Sequence, residues 1–208
     1  MNDEFEFRVK TQRPEEKYKS VVDYFKGETL HNYATSKSLM RIQERITKRA
    51  LELLGIENEA LVLDAGCGAG FSSVYLKEKG YKVVSLDLIK EFLYFYNLKE
   101  INPLAGDMCK LPFKPESLDA IISISALQWI YRNLKSEKGL SNLVSLIKAF
   151  YKSLKPDGKV IFQFYPKSST LMDHISSIIK NNSDFTGKYI IDNPDSPKKR
   201  KIYLILKK

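Results

Sequence analysis

Residues 61–70 read LVLDAGCGAG: an apolar run, an aspartate, then glycines at 66, 68 and 70. Consecutive apolar residues fit a strand buried on both faces. The glycines make a turn in which backbone comes close to whatever lies above it. Phe71–Lys79 follows with helical length and ends at Gly80. Strand, glycine turn and helix in that order open a doubly wound sheet, whose ligands bind beyond the carboxyl ends of the strands. The dinucleotide pattern is G-x-G-x-x-G. Here the third glycine comes one residue early, and Phe71 stands in the dinucleotide position. Asp64 precedes the turn; a carboxylate there repels a pyrophosphate but suits a cationic ligand. Both features argue against a nicotinamide dehydrogenase.

The rest of the chain alternates in the same way. In Ser36–Leu54, Leu39, Ile42, Ile46, Ala50, Leu53 and Leu54 recur at helical spacing, with charges between them, and Gly55 stops the helix. Ala60–Leu63 is the first strand, Lys82–Leu86 a second closed by Asp87, and Ile101–Ala105 a short third. Ile89–Leu98 has helical length. Leu118–Ser125 is a long apolar fourth strand that runs into Gln128 and Trp129, the only tryptophan of the chain. Leu140–Leu154 is a helix ended by the turn Lys155–Gly158; Lys159–Tyr165 is a fifth strand and Thr170–Lys180 a helix. Lys188–Ile191 and Lys201–Lys207 are the last strands. The pattern predicts an α/β fold, a doubly wound, mostly parallel seven-stranded sheet. Residues 1–55 form an N-terminal arm and helix, the first thirty or so polar and with little periodicity. Residues 56–208 form one domain.

Composition bounds the partners. Lys and Arg outnumber Asp and Glu, 34 to 25, for a formal net charge of +9. That balance favours anionic partners and makes their binding salt-dependent. The two cysteines, Cys67 and Cys109, form no CxxC or Cys/His cluster, so no zinc site is expected. The start, MNDEFEFRVK, lacks the apolar stretch of a signal peptide, and no apolar run approaches the roughly 18 residues of a spanning helix. A soluble, cytoplasmic protein with reduced thiols and no membrane contact is expected.

LVLDAGCGAG resembles motif I of the class I S-adenosylmethionine-dependent methyltransferases, roughly [VIL]-[VIL]-D-x-G-x-G-x-G. Asp87, in VVSLDLIKEF, stands where that family's acid accepts both ribose hydroxyls, a contact that needs the two oxygens of a carboxylate. Asp107-Met108, in LAGDMCKLPF, is similar to the segment whose acid meets the adenine amino group and whose next residue covers the ring. The resemblance implies S-adenosyl-L-methionine as cofactor. It implies contacts from Tyr33, Asp64, Gly66, Cys67, Gly68, Gly70, Asp87, Leu88, Asp107, Met108, Ser123 and Ser125.

Further strings narrow the resemblance: RALELL (49–54), ISISALQW (122–129), QFYPK (163–167) and DNPDSPKKRKIYLIL (192–206). Together they resemble the small-subunit ribosomal RNA guanine-N7 methyltransferases of eukaryotes and their archaeal relatives, from about Tyr33 onward. The chain departs from that family at Tyr33–Ser38, YATSKS, where the pattern Y-x-x-N-[ST]-R meets Ser36 and Ser38 in place of Asn and Arg. Tyr33 and Gln43 match.

Guanine N7 carries an in-plane lone pair and needs no deprotonation, so such an enzyme aligns its reactants and requires no strong general base. The resemblance places Gln128, Trp129 and Tyr165 around the base, at the ends of the fourth and fifth strands. It gives the basic residues Lys167, Lys198, Lys199, Arg200 and Lys201 to the RNA backbone. The aromatic run Phe92, Tyr94, Phe95 and Tyr96 goes to a small zinc-containing activator subunit, which makes a heterodimer. A small-molecule methyltransferase of the same fold and a non-catalytic ribosome-assembly factor are the competing readings.

Overall fold

The computed structural model describes residue 7 and residues 12–95, 103–132, 134 and 136–208. Three short helices lead the chain: α1 (Pro14–Lys17), α2 (Val21–Tyr24) and α3 (Gly27–Thr35). The long α4 (Lys37–Leu54) follows, with the Ser36 hydroxyl accepting from the Leu39 amide at its start and Gly55 in the left-handed region at its end. Then come β1 (Leu61–Ala65), α5 (Phe71–Glu78), β2 (Lys82–Asp87), a 3-10 turn (Lys90–Phe95), β3 (Pro103–Ala105) and β4 (Leu118–Ile124). The chain closes with α6 (Leu127–Tyr131), α7 (Glu137–Ser153), β5 (Leu154–Phe164), α8 (Ser169–Asn182), β6 (Thr186–Asp192) and β7 (Lys201–Lys207).

The seven strands lie in the order β3-β2-β1-β4-β5-β7-β6. Pairs from β3 through β5 are parallel, and β7 pairs antiparallel with both β5 and β6. Chain direction along the sheet reverses between β1 and β4, which makes that junction the topological switch point. Successive strand residues feed opposite faces. Leu63, Ile121, Val160 and Phe162 enter the core shared with α7 and α8, while Val62, Ile122 and Ile161 enter the one shared with α4 and α5. A smaller cluster joins Leu30 of α3 to Ile89 and Phe92.

Several expectations need correcting. The helix expected over 89–98 is a 3-10 turn, with Phe92 donating to the Ile89 carbonyl; residues 96–100 lie outside the described residues. Its aromatic run has no helical stripe: Phe92 is buried while Tyr94 is exposed. β5 begins at Leu154 because Lys155–Gly158 forms an irregularity within the strand, with Asp157 left-handed and the register shifting between Leu118 and Ala120. The arm carries α1–α3, each too short for a periodic signal to stand out.

Phe162 is fully buried and stacks on Phe150, with ring centroids 5.6 Å apart. Phe162→Ala is expected to lower stability by roughly 3–5 kcal/mol, read by urea denaturation. A loss below about 1 kcal/mol contradicts this account of the core.

Candidate active site

The turn after β1 closes onto the end of β2. The amides of Gly66 and Cys67 donate to the Leu86 carbonyl at 2.8 and 3.2 Å, and the Gly68 amide donates to the Asp87 carboxylate at 2.7 Å. Gly66 and Gly68 both have positive φ. A Cβ on Gly66 would lie 2.6 Å from that of Ala126, and one on Gly68 would lie 3.5 Å from the Tyr33 ring. Space at Gly66 and the positive φ at both positions therefore reserve this turn for glycine. The second carboxylate oxygen of Asp87 accepts from the Ile89 amide at 2.8 Å. Burial pushes this carboxyl up, against the pull of its backbone donors. Each oxygen retains a further lone pair for a hydroxyl. At the end of β3, Asp107 accepts from the Cys109 amide at 2.8 Å, and Met108 reaches over Gly66.

The end of β4 is built differently. Ser125 is left-handed without being glycine, a strained conformation of the kind found at functional sites. Buried Gln163 of β5 holds it: the Ser125 amide donates to the Gln163 carbonyl and the hydroxyl to its side-chain oxygen, each at 2.8 Å. The Gln128 amide nitrogen donates to the Ser125 carbonyl at 2.6 Å, leaving the buried Gln128 Oε1 with no partner among the described residues. Trp129 is half-buried, 5.7 Å from the Tyr24 ring and 6.4 Å from Phe25. Phe25 also meets Tyr33 and Phe92, each at 5.1 Å. The Tyr165 carbonyl accepts from Tyr131 and from the Arg13 guanidinium, and its ring lies near Arg13 and Lys201.

A single cavity of about 350 Å³ joins the two halves. Gly66, Gly68, Asp87, Leu88, Asp107 and Met108 line it from the ends of β1–β3, Tyr33 from α3, and Ser125, Gln128, Trp129 and Tyr165 from the ends of β4 and β5. Asp64, Cys67, Gly70 and Ser123 do not line it. Asp64 is buried behind the turn, accepting from the Ser73 hydroxyl at 2.6 Å, which in turn accepts from Ser85 at 2.7 Å. Burial pushes its carboxyl up to about 7. Ser123 Oγ is buried with no partner among the described residues, and both cysteines are buried and outside any disulfide.

Lys198 and Lys199 are exposed, and Arg200 donates to the Pro194 carbonyl; none of the three lines the cavity. Lys167 is engaged by Glu16 of α1. Phe92 was expected at a partner interface, and that is corrected: it is 1% exposed, packed under the arm. Tyr94 and Phe95 remain exposed, and Tyr96 lies outside the described residues. The arm residues Arg13, Glu15, Val21, Tyr24 and Phe25, which also line the cavity, were not foreseen. Nor was Gln163. The available signal was the density of aromatics in an otherwise polar arm, Tyr18, Tyr24 and Phe25. Among the described residues no group of side chains is placed to hold a metal, and both histidines, His31 and His174, are exposed.

The cradle, the carboxylates at the end of β2 and just beyond β3 and the doubly wound sheet fit S-adenosylmethionine: close-approach backbone for its amino-acid end, acceptors for its hydroxyls and amine. They define a class I S-adenosylmethionine-dependent methyltransferase. Residues 63–162 match the methyltransferase domain family. The fold is shared by the N-methyltransferase NodS of Bradyrhizobium japonicum, solved with S-adenosyl-L-homocysteine, at a TM-score of 0.61 and 15% identity over 86% of this chain and 96% of that one. The 18S rRNA (guanine-N(7))-methyltransferase of Bos taurus is 34% identical over 94% of this chain and 71% of its own. The 18S rRNA (guanine(1575)-N(7))-methyltransferase of Saccharomyces cerevisiae is 35% identical over 88% and 68%. The chain belongs to the 18S rRNA (guanine-N7)-methyltransferase family.

Gly66→Ala is expected to weaken S-adenosylhomocysteine binding by at least about a hundredfold in calorimetry, because its Cβ strains the turn and fills the cradle; unchanged affinity contradicts this role. Asp64 sets a pH dependence. The folded protein keeps its proton up to about pH 7, whereas an unfolded aspartate releases it near 3.8. Between those values the folded state binds more protons, so stability falls as pH rises. Asp87 pulls the same way. Asp64→Asn is expected to reduce this slope, removing on the order of 4 kcal/mol of pH-dependent loss between pH 4 and 7. Urea denaturation that keeps the full slope in the variant contradicts it.

Proposed function

We propose that the protein transfers the methyl group of S-adenosylmethionine to N7 of a guanine in small-subunit ribosomal RNA, during ribosome biogenesis in the cytoplasm. The observation that carries this reading is the continuous cavity, with a cofactor half under β1–β3 and an aromatic acceptor half at β4 and β5. Family membership and the net charge of +9 support it.

The cofactor supplies an electrophilic methyl group on a sulfonium. The residues of this chain do the positioning. Asp87 takes the ribose hydroxyls and Asp107 the adenine amine, with Met108 against the ring. Ser125, held left-handed by Gln163, sets the height of Gln128 and Trp129 at the rim. Trp129 stacks on the target base, a contact of roughly 1–3 kcal/mol. No histidine lines the cavity, in keeping with a nucleophile that has no proton to lose. Alignment of N7, carbon and sulfur is then the main catalytic task. Lys198 and Lys199, with Arg200 and Lys201, track the RNA backbone outside the cavity.

A small zinc-containing activator docks on the opposite side. β3 is an edge strand with no partner on one side among the described residues, and Leu104, Tyr94 and Phe95 are exposed beside it. Edge pairing plus an apolar contact gives such a partner both hydrogen bonds and burial.

The test is labelled methyl transfer to small-subunit rRNA with and without the activator, followed by borohydride and aniline treatment, which breaks RNA at N7-methylguanosine. Label at guanine with strand scission is expected; label only on a small molecule contradicts the reading. Tyr94→Asp with Leu104→Asp is expected to abolish co-purification of the activator while the melting temperature stays within about 2 °C. Retained one-to-one assembly contradicts the proposed docking surface.

A further inference from the structure

Glu15, in α1, is a carboxylate only 9% exposed. It lines the acceptor half of the cavity, on the side where Tyr24 approaches Trp129. Its ion-pair partner, the Arg13 guanidinium, is 3.9 Å away, beyond hydrogen-bonding distance, and donates instead to the Tyr165 carbonyl. α1 is a single turn, so no helix terminus accounts for the charge. A carboxylate largely withdrawn from water gains from hydrogen-bond donors brought to it, and a base entering the cavity would bring them. The segment carrying it is tied down by the Arg13 bond to Tyr165 and by the ion pair between Glu16 and Lys167.

A second acceptor lies in the same half. Gln128 commits its nitrogen to the Ser125 carbonyl and leaves Oε1 with no partner among the described residues. Glu15 and Gln128 therefore both offer acceptors. Guanine presents donors, N1–H and the N2 amine, on the edge opposite N7. With N7 turned toward the cofactor half under β1–β3, that donor edge faces the arm. Adenine would bring an N1 acceptor against the carboxylate, and inosine lacks the N2 donor.

We propose that Glu15 selects guanine among purines by accepting from N1–H and the N2 amine, with Gln128 Oε1 as the supporting acceptor. This rests on the guanine-N7 reading above and names the residue that enforces it. The contact is made by ordinary hydrogen bonds, so no proton is transferred. Glu15 is a specificity residue, and the methyl transfer itself proceeds through alignment alone.

The test uses the full chain saturated with S-adenosylhomocysteine. Guanosine, inosine and adenosine 5′-monophosphates are titrated, with Trp129, the only tryptophan, as the fluorescence reporter. The wild type is expected to prefer guanosine monophosphate over inosine monophosphate by roughly tenfold, and over adenosine monophosphate by roughly a hundredfold. Glu15→Gln is expected to bring guanosine and inosine monophosphates within about twofold of each other, with cofactor affinity and melting temperature unchanged. Equal binding of all three nucleotides by the wild type overturns the proposal without involving the variant, and so does the absence of any nucleotide binding. A variant that loses cofactor affinity, or loses both nucleotides in proportion, also overturns it. These outcomes leave the guanine-N7 reading standing if rRNA guanine is labelled; absence of that label removes the reading itself.

Discussion

The bond from the Gly68 amide to the Asp87 carboxylate joins the turn after β1 to the end of β2. It is short, buried and charge-assisted, the strong kind of hydrogen bond. It exists because the glycine turn runs through left-handed conformations that bring consecutive amides onto one neighbour strand. With the turn pinned, Ala126 at the start of α6 can sit against Gly66, and Tyr33 of the arm against Gly68. The cofactor cradle, the acceptor rim and the arm all meet at these two glycines.

The other half of the site depends on a polar residue inside the sheet. Gln163 has no exposure in β5 and gives both its backbone carbonyl and its side-chain oxygen to Ser125. Those bonds hold a left-handed serine, and the serine carbonyl holds the Gln128 amide. A buried polar group with its oxygen paired can fix one conformation where an apolar core would tolerate several. The arm then completes the enclosure with rings: Tyr24 and Phe25 reach Trp129, and Phe25 reaches Phe92. Excluding water in this way strengthens the electrostatic contacts inside.

The strands of the sheet were legible because their apolar runs face helices on both sides, as in Ile121 and Ile122, which enter opposite cores. The glycine turn and the acids at 87 and 107 were legible because their chemistry is tied to strand ends. Asp64 shows the limit of that reasoning: its place in the motif led to a cofactor contact, yet Ser73 and Ser85 hold it behind the wall. Phe92 and Tyr94 look alike in sequence, and only packing under α3 separates the buried ring from the exposed one. The arm was not readable, since helices of four residues leave no periodic trace and are fixed by long-range contacts such as Arg13 to Tyr165. Gln163 was equally silent, because nothing local marks a buried amide that supports a strained neighbour.

The central claim is one cavity with separable halves: β1–β3 hold the cofactor, and β4, β5 and the arm hold the base. Pairing calorimetric S-adenosylhomocysteine affinity with methyl transfer to rRNA in Asp87→Ala and Trp129→Ala tests it most directly. The account predicts that Asp87→Ala loses both, and that Trp129→Ala keeps cofactor affinity within about twofold while transfer falls at least tenfold. Loss of cofactor affinity in Trp129→Ala, or full affinity in Asp87→Ala, would contradict it.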